Sequence, residues 1–198
     1  MKRGLNTELD LITQMRGEVM SRREPTGENL FLVWGYPSVF FLMLEFLGLK
    51  FLQVDWCQWI WVGIPIISTP LMAYFIHQDR IRTHRKTHEE SSILNLWIFV
   101  GCTCFVSGFL LEFAGLYEQF FLMLLGLLCG IGCFVTGLIL RFTPMTACGL
   151  LASLLSFMTP FFQGELWPHQ LLIAAMVVVV ALIVPGHAFK NHIKRQSS

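Results

Sequence analysis

A carboxylate set inside a long apolar run is the first residue in this sequence with chemistry to offer. Glu45 lies fifteen residues beyond Leu30, where that run begins, roughly 22 Å along a helix and short of its far boundary. Ionisable groups at such depth are costly and mark proton or ion sites, so Glu45 is a candidate for proton or cation coupling. The plainer alternative is an acid that reaches the outer interface with Lys50 as its neighbour. Glu112 repeats the setting, because Leu44-Glu45-Phe46-Leu47-Gly48-Leu49 matches Leu111-Glu112-Phe113-Ala114-Gly115-Leu116. Pro65 and Pro70 each remove a backbone donor and free a carbonyl one turn earlier, which Ser68 and Thr69 can help satisfy. Pro65, Ser68 and Thr69 are therefore the expected surface opposite Glu45, on a kinked helix whose free carbonyls could help coordinate a cation.

A second cluster is cationic. Arg80, Arg82, Arg85 and Lys86 follow the second apolar run, interleaved with His77, His84 and His88. Histidines at spacings of seven and four would share one helical face and suit a metal, but the four cations would repel it and match anionic lipid headgroups instead. Lipid contact is the expected role. The cysteines at positions 57, 102, 104, 129, 133 and 148 form no CxxC pair, and packing is their expected use. No HExxH, GxSxG, P-loop or Gly-rich dinucleotide turn occurs, so the sequence points away from an enzyme and names no cofactor or metal.

The elements that must position these residues are membrane spans. Only 14% of the 198 residues are charged and 55% are hydrophobic, with 18 Phe and a mean hydropathy of +0.61. That composition excludes disordered and collagen-like chains, and a net charge of +1 argues against a nucleic-acid partner. A bilayer core needs about 20 apolar residues per helix. Six runs qualify, at about 30–49, 56–76, 93–113, 119–140, 145–162 and 169–188, the last reaching spanning length only if counted from His169. A re-entrant final hairpin is the alternative. The fold class is thus an all-α polytopic bundle, with residues 1–29 and 189–198 outside it.

Every Lys and Arg except Lys50 falls in segments that an even number of spans places on one side, and basic residues are retained in the cytoplasm. Both termini are therefore expected there. Trp34, Tyr36, Tyr74 and Trp97 fall near inner span ends, whereas Trp56, Trp59, Tyr117 and Trp167 fall near outer ones, as an aromatic belt requires. Leu5, Leu9, Ile12, Met15 and Val19 recur at spacings of three and four, which predicts an amphipathic surface helix at residues 6–23 ended by Pro25 and Gly27.

Small residues at four-residue spacing allow close backbone approach in lipid. Gly126, Gly130, Cys129, Cys133 and Gly137 on the fourth run, Cys104 and Gly108 on the third, and Cys148, Ala152 and Ser156 on the fifth predict a tight centre of runs three to five. A homodimer interface is the alternative use of these stripes. Thr143 and Pro144 read as N-cap and first helical residue of the fifth run.

The entry Leu30-Phe31-Leu32-Val33-Trp34-Gly35-Tyr36, the turn Arg141-Phe142-Thr143-Pro144 and the ending Ile183-Val184-Pro185-Gly186-His187 resemble a group of small bacterial six-span inner-membrane proteins. The resemblance implies a bacterial inner-membrane location and brings no activity, substrate or site residue with it. Two functions are expected from the residues themselves. The first is an accessory or regulatory membrane protein working through lipid, homodimer or partner-protein contacts. The alternative is a small proton- or cation-coupled transporter or channel using Glu45.

Overall fold

The computed structural model describes residues 26–52, 60, 63–82, 88–162 and 167–196, and no strand occurs among them. The expected surface helix at 6–23, with Arg85 and Lys86 of the basic cluster, lies outside the described residues. Helix α1 runs Thr26–Leu47 and closes in a wide π-type turn at Gly48–Leu52. It is followed by α2 (Gly63–Arg82), α3 (His88–Phe113), α4 (Tyr117–Ile139) and α5 (Thr143–Ser156), which ends in a short 3-10 turn at Thr159–Phe161. The last rod is α6 (Trp167–Val178), a second π-type turn at Val179–Ile183, and α7 (Val184–Gln196). Pro185 lies two residues past this wide turn and has no N–H to return to the carbonyl one turn back, so the helical ladder is interrupted there.

Among the described residues five helical stretches are long and apolar enough to cross a membrane: Phe31–Phe51, Ser91–Phe113, Phe120–Ile139, Thr143–Phe161 and Pro168–His192. The chain is an all-α bundle of the multi-pass membrane kind. Among the described residues the weak span is the second, where the apolar helix Gly63–Phe75 is short. The last span, expected to be marginal, is the longest, because the helix runs on through the polar residues after Ala188. Pro65 falls in the first turn of α2, where no N–H is needed, leaving Pro70 as the interior proline of that helix.

Two hairpins share one device. After α3, Gly115 takes a φ of 66°, the Leu116 N–H bonds the Leu111 carbonyl at 2.9 Å and the Gly115 N–H bonds Glu112 at 3.0 Å. After α4, Arg141 takes a φ of 52°, with Phe142 N–H on Gly137 at 2.9 Å and Arg141 N–H on Leu138 at 3.2 Å. Both are Schellman turns. The second turn sets Phe142 at the N-cap of α5, so Thr143, expected to cap, becomes the first helical residue instead. Its carbonyl accepts the Thr146 hydroxyl at 2.7 Å.

The tight centre is α4 against α5, and α6 closes on both. A Cβ added at Gly149 would strike the Phe134 backbone nitrogen, and one at Gly130 would lie 2.7 Å from the Ser153 nitrogen. Gly126, Gly130, Cys133, Gly137, Ala152 and Ser156 are all spent on this seam, so these small residues pack within the chain. The third run does not join the centre as expected, because α3 leans chiefly on α4 and buries only 6% of its apolar window. Its Gly108 meets the ring of Phe121 rather than backbone.

Helix α1 lies antiparallel to the α6–α7 rod. Gly35 rests against Leu182 and Ile183, and Gly186 against Phe31 and Leu32. On another side α1 meets α2, where Gly63 abuts Phe41 and the Ser68 hydroxyl donates to the Val33 carbonyl at 3.3 Å. Trp34 donates to the Met72 sulfur at 3.1 Å, and Trp97 stacks edge-on to Phe31 while donating to Thr136 Oγ1 at 3.2 Å. Both indoles thus tie helices together.

Candidate functional site at Glu45

Helix α1 sorts its residues by face. Phe31, Leu42, Glu45 and Phe46 are buried, whereas Tyr36, Phe40, Met43, Leu44 and Leu47 are exposed. Glu45 shares the stripe that turns toward the bundle and is 4% exposed. It does not form the expected pair with Lys50, whose ammonium sits 5.4 Å from the centre of the Phe46 ring, held there by cation–π attraction. Among the described residues no hydrogen bond or ion pair reaches the Glu45 carboxyl.

The same ring meets α6. Phe46 and His169 are edge to face at 6.2 Å and 69°, and His169 begins the first turn of α6 beside Gln170. Gln170 is fully buried, yet its Nε2 and Oε1 have no hydrogen-bond partner. The Nδ1 of His169 is likewise buried and unpaired. Together these two neighbours hold every buried, unpartnered side-chain polar atom among the described residues. Unpaired polar atoms in an apolar interior cost about 1–3 kcal/mol each, and in native proteins they call for an explanation.

Glu45, His169 and Gln170 thus mark one end of the α1–α6 contact, with Phe46 between the two helices. The set offers a carboxyl, an imidazole able to give or accept a proton, and an amide with one donor group and one acceptor. That inventory suits a proton or a hydrated cation.

The other residues expected at this site lie elsewhere. Ser68 is buried, but its bond to Val33 sets it about 18 Å from the level of Glu45 by helical rise. Pro65 and Thr69 are exposed on α2. Glu112 is exposed at the end of α3, so the two LEF copies share sequence without sharing an environment: one helix is packed on two sides and the other on one. Arg80 and Arg82 lie in the last turns of α2. His169 and Gln170 are the residues that sequence reasoning passed over, because they read as the polar flank of the last span. A signal was present: Gln170, Ala174, Val177 and Ala181 recur at spacings of four, three and four, which places the amide on the buried face.

No family model, curated protein or solved structure matches this chain.

Proposed function

We propose that this is a bacterial inner-membrane protein, with both termini cytoplasmic, that binds a proton or a small cation at Glu45 and couples it to movement of α1 against α2 and α6. One observation carries the reading: Glu45 lies on the buried stripe of α1 with no counter-charge among the described residues. A bare carboxylate in such a place is expensive, and a proton or a cation is what relieves the cost. The unpaired atoms of His169 and Gln170 lie at the same end of the α1–α6 contact. The orientation is supported by the basic residues, since Lys50 stands alone at the Glu45 end of α1.

The test is Glu45→Gln in purified protein, read by tryptophan fluorescence between about pH 4 and pH 9, a window that covers carboxyls from exposed to deeply buried. Trp34 and Trp97 both bridge helices, so they report relative movement. Wild type should show a titration that the glutamine variant lacks. Superimposable curves would overturn the proposal.

A second reading, an accessory protein that docks another membrane protein, rests on α3. This helix presents Phe99, Phe105, Phe109 and Phe113 outward while leaning chiefly on α4. Crosslinking in membranes from positions on α3 would recover a reproducible second protein if that reading holds, and only lipid or self-products if it does not.

A further inference from the structure

At the opposite end of the bundle from Glu45, the α4–α5 hairpin is clamped to α7. The ring of Phe142 lies 5.5 Å from that of Phe189 and 5.2 Å from that of His192. Arg141, immediately before Phe142, is exposed, as are His192 and Arg195. Phe189, His192 and Arg195 recur at three-residue spacing and therefore share one stripe of α7. The clamp brings the turn that carries Arg141 beside that stripe, and neither the chain from Gln119 to Gly164 nor that from Leu166 to Ser198 carries an acidic residue.

Arg141 is also in an unusual place. Its turn repeats, bond for bond, the turn that Gly115 makes after α3. The left-handed conformation costs an L-residue about 1–2 kcal/mol and costs glycine almost nothing. An arginine therefore occupies a position that glycine fills at lower cost. Between Lys86 and Lys190 it is the sole basic residue. Below it the bundle surface is apolar: Leu138, Leu150, Leu151 and Leu154 are 56%, 55%, 50% and 59% exposed.

We infer that Arg141, His192 and Arg195 form a binding site for the phosphodiester headgroup of an anionic phospholipid, whose acyl chains lie along Leu138, Leu150 and Leu154. Guanidinium groups pair with phosphate oxygens by short charge-assisted hydrogen bonds. The location suits a headgroup, since the last span ends at His192. A basic recess between span ends is the setting in which anionic lipids with phosphate-rich headgroups are held. This site lies at the other end of the bundle from Glu45.

Arg141→Gly is the decisive variant, because glycine keeps the turn and removes only the guanidinium. Purified protein in neutral phosphatidylcholine nanodiscs is titrated with cardiolipin or phosphatidylglycerol, and bound lipid is counted by native mass spectrometry. Wild type should retain the anionic lipids over phosphatidylcholine. Arg141→Gly should lose about fivefold of that retention, the worth of one basic residue at an anionic surface, with thermal stability in neutral lipid unchanged or raised. Arg141→Gly with Arg195→Gln should lose more than either alone. Equal retention by wild type and Arg141→Gly would overturn the inference. So would displacement of the lipid by millimolar inorganic phosphate, which would make the site one for a free anion.

Discussion

At the scale of single residues, Lys50 and His169 both meet one aromatic ring. Phe46 receives the Lys50 ammonium on one side and the His169 ring on another, so the cation that sequence assigns to Glu45 is diverted to a π face. Glu45 is left to the bundle. Gln170 is the clearer energetic test, because its amide is wholly buried and unpaired. Gln170→Met, close in volume and free of hydrogen-bonding demand, should raise stability by about 1–3 kcal/mol. Thermal unfolding in detergent measures this. If Gln170 serves the Glu45 site, the same variant should also shift the midpoint of the fluorescence titration, whereas an amide with no part in the site would leave the midpoint in place.

At the scale of elements, the bundle is held by backbone proximity where it is tight and by side chains where it is loose. The α4–α5 seam has no room at Gly130 or Gly149 for a methyl group, since the atoms it would meet are backbone that no rotamer can move. Gly149→Ala should therefore force the helices apart and cost about 1–3 kcal/mol. Gly101→Ala is the matching control: nothing lies within 4 Å of its Cβ direction, so the substitution should be neutral or slightly stabilising through helix propensity. Equilibrium unfolding of the two variants in the same detergent checks both signs. The hairpins give a third case, because Arg141→Gly should stabilise by about 1 kcal/mol through relief of the left-handed cost alone.

At the scale of the whole molecule, the predicted orientation follows from the placement of basic residues and sets which compartment meets Glu45. A reporter active only in the periplasm, fused after Ser198, should be silent, and the same reporter in the turn near Gly164 should be active. The reverse pattern would place the Glu45 end in the cytoplasm and change the proton source that the coupling reading requires. The outward face of α3 belongs to this scale too. In lipid it needs no partner, because acyl chains are as apolar as its Phe and Leu side chains.

The sequence by itself determined what composition and length can carry. Apolar runs of spanning length oblige the backbone to pair internally, which in a chain of this pattern means helices, and the four-residue spacing of small residues predicted a tight centre of runs three to five, of which the structure keeps α4 against α5 and leaves α3 outside. It also marked Glu45 as an acid deep within an apolar run, since depth is a count of residues, and left open whether that acid is buried or reaches the interface. Only the tertiary structure decided which helix faces meet. Pro65, Ser68 and Thr69 are read beside Glu45 because their run is adjacent in the chain, yet the register fixed by Gly63 on Phe41 and Ser68 on Val33 moves them well down the helix. His169 and Gln170 arrive from the far end of the sequence, brought by the antiparallel rod that sets Gly35 on Leu182 and Gly186 on Phe31. Periodicity fixes the angle of a residue on its own helix. The neighbour at that angle depends on how far one helix slides along another, and only side-chain interlocking sets that distance.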